Sequence, residues 1–189
     1  MRADAVAKRR EILDAAWRLV SDQGVDVPLR AVAQEAGVGI ATLYRHFPTR
    51  RDLILGLFSE VRDRVADVID RHRDGWDDDP TATWHSVVHD LAALHTGALA
   101  TQMMPVAMVD EELMASATPV RDDLQARLAT LLDHARAHGF VAADVTPVRF
   151  HLGLAALTRL AQPADVDAAE RLAPGQAEWL VGVYIRGLR

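Results

Sequence analysis

The chain contains no cysteine. That excludes disulfides, thiolate metal sites and cysteine nucleophiles together, and it fits a reducing compartment. Lysine is almost absent: Lys8 stands against twenty arginines, which spread along the whole chain as biased codon usage would place them. No apolar run approaches the roughly 18 residues a membrane helix needs, so no membrane partner is expected. The opening MRADAVAKRREI has positive charge without an apolar stretch behind it, so a secretion signal is not expected either. Strand-like alternation and internal repeats are lacking. So are a nucleophile–base constellation, a glycine-rich phosphate loop and a paired-carboxylate site.

What is present is material for a core. Half of the 189 residues are hydrophobic and a quarter are charged, enough for one large domain or two small ones. The net charge is −6 and the pI about 5.7, a balance that taken whole argues against nucleic acid. Division changes that impression. Residues 1–51 hold nine cations and six carboxylates, net +3, while residues 52–189 are net −9. A mildly basic head before an acidic body suggests a polyanion partner for one end only, with ordinary fluctuation as the bland alternative.

Helical spacing runs through the chain. Ile12, Ala15, Ala16, Leu19 and Val20 form one stripe, and Gly24 is placed to end that helix. Two short pieces follow, residues 29–36 and 40–47. Thr49 to Asp52 has the form of a capping box with Asp in place of Glu, and it opens a long helix to about Arg73. Asp79-Pro80 opens the next, over 80–96, with Trp84, Val87, Val88, Leu91, Leu94 and His95 on its apolar face. The three aspartates before Pro80 read as capping and dipole complementarity rather than as a metal cluster. Residues 98–115 are ambiguous around Pro105. Thr118-Pro119 is predicted to start an amphipathic helix ending at His138-Gly139, and Thr146-Pro147 another to about Ala161. A Pro- and Asp-rich connection, 162–174, precedes a last helix over 175–188.

The last two helices are apolar around most of their circumference, whereas a surface helix shows one apolar arc. They are expected to pair with the same two from a second copy in a two-fold four-helix interface, with Phe150, Leu154, Leu157, Trp179, Val183 and Tyr184 as its candidate residues. A central place within one protomer is the alternative.

Residues 29–46, LRAVAQEAGVGIATLYRH, have helix-turn-helix syntax: two short helices flank Ala36-Gly37-Val38-Gly39, and Gly37 can take the positive φ of a steep turn. The second helix is rich in hydrogen-bonding groups, Thr42, Tyr44, Arg45 and His46, of the kinds that reach base edges and phosphates. Residues 10–53 resemble the DNA-binding domain of TetR-family transcriptional regulators. The IxxAAxxLxxxxG first helix, the VAxxAGV second helix and turn, and the TLYRHFPTR segment carry the likeness.

The resemblance implies an all-α protein: a three-helix helix-turn-helix domain, residues 1–48, then a helical ligand-binding and dimerisation domain, residues 49–189. It also implies a cytoplasmic homodimeric repressor that binds a palindromic double-stranded operator and is released by a small molecule. Arg30 falls where the family contacts a base or phosphate. Gly39, Ile40, Ala41, Thr42, Tyr44 and His46 fall in the recognition helix, and Arg50 replaces a phosphate-binding Lys. Two positions depart from the pattern: Val27-Pro28-Leu29 lacks the usual Thr or Ser cap, and Gly39 stands where Ser is common. Phosphate neutralisation is expected from Arg9, Arg10, Arg45, Arg50 and Arg51. The fourth helix is expected to carry motion from body to head.

For the effector, Met103, Met104, Met108 and Met114 lie within twelve positions, and Met suits adaptable apolar surfaces. Met103, Met104 and Met108 with Phe58, Trp84, Leu91, His95, Leu124 and Leu128 are the candidate ligand contacts, core filling being the plain alternative for each. His85/His89 and His134/His138 have the i, i+4 spacing of zinc ligands, but without an HExxH glutamate they read as boundary or solvated histidines. No cofactor or metal is expected. The remaining alternatives are a constitutive dimeric DNA binder with a packed body, and a helical metal-dependent enzyme using His85 and His89.

Overall fold

The computed structural model describes residues 2–159 and 175–189. The expected connection over 162–174 lies outside the described residues. Among those described, every ordered element is a helix: α1 (Arg2–Gln23), α2 (Leu29–Glu35), α3 (Ile40–His46), α4 (Arg50–Arg71), α5 (Gly75–Asp78), α6 (Pro80–Ala93), α7 (Thr96–Val109), α8 (Glu111–Ala137), α9 (Pro147–Arg159) and α10 (Gln176–Gly187).

Side chains and glycines set most boundaries. Thr49 and Asp52 form a reciprocal box at α4, the Thr49 amide donating to Asp52 Oδ2 at 2.9 Å and the Asp52 amide to Thr49 Oγ1 at 3.1 Å. Asp79 caps α6 by accepting from the Ala82 amide at 2.9 Å, with Pro80 at the first helical position. Asp110 accepts from Leu113 N at 3.0 Å to cap α8, and Thr146 from Arg149 N at 3.2 Å to cap α9. Gly139, at φ 72°, closes α8, where Phe140 N reaches back to Ala135 O at 2.9 Å.

Two boundaries differ from expectation. The helix expected to open at Thr118-Pro119 starts at Glu111 and runs through Pro119. A proline inside a helix leaves the carbonyl four residues earlier without its donor. Here Ala115 and Pro119 both face solvent, so water can satisfy it; Pro105, inside α7, is exposed as well. The helix predicted over 80–96 ends at Ala93 instead. His95 follows in the left-handed region at φ 50°, exposed rather than on the apolar face.

Packing divides the chain into two compact units, neither of them continuous. The first comprises residues 1–61 and 99–120, the second 62–98 and 121–189. A boundary is expected near Thr49; by packing, residues 49–61 and 99–120 belong with residues 1–48 in one unit. In that unit Ile12, Ala15, Ala16, Leu43, Phe47 and Leu57 form the centre, and Leu99, Met103 and Ala107, spaced i, i+4, i+8 on α7, belong to the same core. Full burial of a side chain of Leu or Met size stabilises by about 1.5–3 kcal/mol, which is why this segment joins the head.

In the second unit α6 is central, with α5, α9 and α10 against it. Trp84 of α6 is 1% exposed; its ring lies 5.9 Å from Phe150 of α9 and 6.5 Å from Phe140. Trp76 of α5 stacks on His134 at 5.5 Å and His138 at 5.9 Å. Aromatic pairs at such separations add about 0.5–1.5 kcal/mol beyond area burial.

Candidate nucleic-acid interface

The turn between α2 and α3 is built by backbone geometry. Ala36 caps α2, Gly37 adopts φ 65°, the Gly37 amide donates to Gln34 O at 3.1 Å, and the Val38 amide donates to Ala33 O at 2.9 Å. This is a Schellman closure, and the left-handed residue it demands is the glycine. Leu43, fully buried, and Phe47, 1% exposed, pin α3 to the head from one side. The opposite side carries Gly39, Ala41, Tyr44 and Arg45, all exposed, with Ile40, Thr42 and His46 half-buried at its margins. Tyr44 is 49% exposed, an open position for an aromatic side chain. Arg30 is exposed on α2. Among the described residues no hydrogen bond or ion pair engages the side chains of Arg30, Thr42, Tyr44 or Arg45. Neither α2 nor α3 has a side-chain N-cap, so their first amides lack that partner.

The expected phosphate cations divide into two groups. Arg9 lays its guanidinium over the Phe47 ring at 4.8 Å and remains exposed, a braced cation beside the end of α3. Arg10 and Arg45 are exposed. Arg50 is committed: its Nη1 donates to the carbonyls of Val25 and Val27, the latter at 2.8 Å, fastening α4 to the loop before α2. Arg51 is paired with Asp110 and Glu112.

The candidate ligand contacts do not share one unit. Phe58, Met103, Met104 and Met108 belong to the first, and Trp84, Leu91, His95, Leu124 and Leu128 to the second. Met103 is core of the first unit, and Met108 is 73% exposed. In the second unit a cavity of about 10 Å³, space for about one water molecule, is lined by Val65, Leu91, Thr96, Leu128, Phe150, His151 and Leu154. Leu91 and Leu128 are candidates of the sequence reading; Thr96 and His151, which supply its polar groups, are not. Burial pushes the His151 imidazole below its ordinary pKa.

Of the six residues expected at a dimer interface, Phe150 and Leu154 turn inward. Phe150 is fully buried against Trp84, and both line the cavity. Tyr184 and Leu157 are half-buried. Tyr184 donates to Phe150 O at 2.7 Å and covers Gly153, where an added Cβ would sit 2.8 Å from its ring. The apolar surface left open consists of Val148, Leu152 and Ala156 on α9, with Trp179 and Val183 on α10. Both sets repeat at i, i+4, so each forms a stripe. Val148 and Leu152 were legible in that period, half a turn from Phe150 and Leu154. His85 is exposed and His89 half-buried, and no group of three or more metal-ligating side chains occurs among the described residues.

A small helix-turn-helix with an open recognition helix, followed by a helical body, defines the class of DNA-binding transcriptional regulators. Residues 12–57 match the profile of bacterial regulatory proteins of the tetR family, and residues 79–189 match the C-terminal domain of SbtR-like transcriptional regulators. The chain belongs to the TetR family of transcriptional regulators.

Relatives agree. The HTH-type transcriptional regulator SAB2452 of Staphylococcus aureus is 41% identical over 54 residues, 28% of this chain and 29% of its own length. The similarity to such curated relatives therefore spans less than a third of their length. Among solved structures, the TetR transcriptional regulator SCO0520 of Streptomyces coelicolor is 28% identical at TM-score 0.62, over 96% of this chain and 98% of its own. A TetR regulatory protein of Mycobacterium vanbaalenii is 26% identical at TM-score 0.60, covering 100% and 98%. LfrR of Mycobacterium smegmatis, solved in complex with proflavine, is 25% identical at TM-score 0.61, covering 94% of each chain. These relatives are regulators, not enzymes.

Proposed function

We propose that the protein is a cytoplasmic homodimeric repressor. It binds a palindromic operator through α3 and leaves it when a small molecule occupies the body. Residues 1–48 carry DNA reading, and residues 49–189 carry ligand binding and dimerisation. The observation that carries this reading is the free, exposed group of Arg30, Tyr44 and Arg45 around a helix whose other side is locked into the head core. Thr42, Tyr44 and Arg45 are the candidates for base edges, with Gly39, Ile40, Ala41 and His46 setting how closely the helix approaches. Uncapped amides at α2 and α3 supply phosphate donors where the side-chain caps common in the family are missing. Arg9, Arg10 and Arg30 add backbone charge.

The open stripes of α9 and α10 support the dimer. A two-fold pairing would bury Leu152 and Trp179 of both copies, and a dimer must present its recognition helices about 34–36 Å apart to enter successive major grooves. The likeness to a regulator solved with proflavine supports a small-molecule effector. A ligand favouring a dimer whose helices no longer match the groove spacing shifts the population off DNA.

Selection of bound duplexes from a random pool tests the reading, followed by a compound screen for release. A palindrome with half-sites one helical turn apart is expected. Selection of no common sequence sinks the operator reading. Release by no compound that binds the body leaves the constitutive binder instead.

A further inference from the structure

Arg51 occupies the second position of α4, five residues after the end of α3, yet its charge is spent elsewhere. Its Nε donates to Asp110 Oδ2 at 3.0 Å and its Nη1 to Glu112 Oε2 at 2.5 Å. The other oxygen of Asp110 accepts the Leu113 amide at 3.0 Å, so one carboxylate caps α8 and holds Arg51 at the same time. The Leu113 amide first, and the Arg51 guanidinium after it, hold the Asp110 carboxyl below its ordinary range. The clasp is built but open to solvent: the side chains of Arg51 and Glu112 are 42% and 75% exposed. Ion pairs this exposed are weak, and a phosphate oxyanion offers a guanidinium the same geometry as a carboxylate. Arg50 is placed differently, because its partners are the backbone carbonyls of Val25 and Val27. Of the two arginines at the start of α4, only Arg51 can change partner, anion for anion.

We propose that Arg51 is a phosphate contact held in reserve. Asp110 and Glu112 keep it from the DNA backbone, and opening their clasp adds one ion contact to the complex. The device ties DNA affinity to the first turn of α8. It rests on the reading of α3 as a DNA-docking helix.

The test uses the full chain and a non-specific 30-base-pair duplex, because the phosphate contribution does not depend on sequence. Binding is titrated from 50 to 200 mM salt for the parent, Arg51→Gln, Asp110→Asn/Glu112→Gln, and the triple variant. Asparagine at position 110 still caps a helix, so the double variant keeps α8, and coincident thermal melts check this. Each phosphate neutralised adds about 0.9 to the salt slope, or about 3.5-fold in affinity over this fourfold range. The double variant should gain that increment, Arg51→Gln alone should leave the slope unchanged, and the triple variant should lose the gain. A loss of slope in Arg51→Gln overturns the proposal, because Arg51 would already be on phosphate. A gain that persists in the triple variant also overturns it, because the carboxylates would then only repel DNA. If the parent binds no duplex at low salt, the DNA-docking reading fails as well, an outcome separate from the other two.

Discussion

The inward turn of Phe150 and the outward turn of Leu152 give a paired test of the proposed dimer and of where a second copy would dock. Leu152 is 60% exposed in the protomer and Phe150 is fully buried. Burying a leucine completely is worth about 1.5–3 kcal/mol, so covering the exposed fraction contributes roughly 1–2 kcal/mol per copy and twice that per dimer. Replacing Leu152 by Glu removes this and adds the cost of desolvating two carboxylates, at least a few kcal/mol more. A dimer weakened by about 4 kcal/mol or more dissociates about a thousandfold more readily. The protomer itself should keep its melting temperature when compared at concentrations where both proteins are monomeric. Phe150→Ala should do the reverse: it costs about 3–5 kcal/mol of folding stability, because the ring fills the space between Trp84 and Tyr184. Sedimentation equilibrium with thermal melting separates the two effects. The assignment is refuted if Leu152→Glu dimerises like the parent. It is refuted equally if Phe150→Ala abolishes the dimer while folding is unaffected.

Three further outcomes follow from local geometry. Gly153→Ala places a Cβ 2.8 Å from the Tyr184 ring, which should break the hydrogen bond to Phe150 O and cost about 1–3 kcal/mol, read by denaturant titration. His95→Gly relieves a left-handed residue that lies exposed, and a gain of about 1 kcal/mol should raise the melting temperature by roughly 2–4 °C. Burial raises the Tyr184 phenol to about 12, so a step in phenolate absorbance near that pH should vanish in Tyr184→Phe. Because the unfolded chain ionises this group first, near the ordinary phenol value of 10.0, the associated stability is complete below that pH and is lost as pH rises through about 12.

The sequence was most readable where one residue determines one local feature. Gly37 and Gly139 could be assigned to helix ends because few other residues adopt positive φ, and both do. Thr49/Asp52 and Asp79/Pro80 could be placed as caps because side-chain oxygen, amide and spacing must coincide there, and they do. Features decided by three-dimensional neighbours were harder to read. Pro119 looks like a helix start until the exposure of Ala115 is known, for only a solvated carbonyl tolerates the missing donor. Met103 looks like pocket lining until Leu99 and Ala107 are seen beside it in the head core. Phe150 and Leu152 are both apolar on one helix, and composition cannot say which of them faces α6. The recognition helix was legible because its two sides differ in chemistry. The Nη1 bonds of Arg50 to Val25 and Val27 were not, since a guanidinium suits a backbone carbonyl as well as it suits a phosphate.

Charge shows most sharply why local structure outweighs composition. Residues 1–51 are net +3, but the first compact unit also takes in Asp52, Glu60, Asp110, Glu111 and Glu112. It then holds nine cations against eleven carboxylates, net −2. A DNA-binding surface on a unit of negative sum is no contradiction, because screening at physiological salt limits each charge to a reach of about 8 Å. What a phosphate meets is decided cation by cation. Arg18 is held by Glu35, Arg50 by two carbonyls and Arg51 by two carboxylates. No carboxylate pairs with Arg9, Arg10, Arg30 or Arg45 among the described residues. Arg30 and Arg45 lie on the helices expected at the groove, and Arg9 sits over Phe47 at the end of α3, so the free cations, and not the sum, mark the face that can approach DNA.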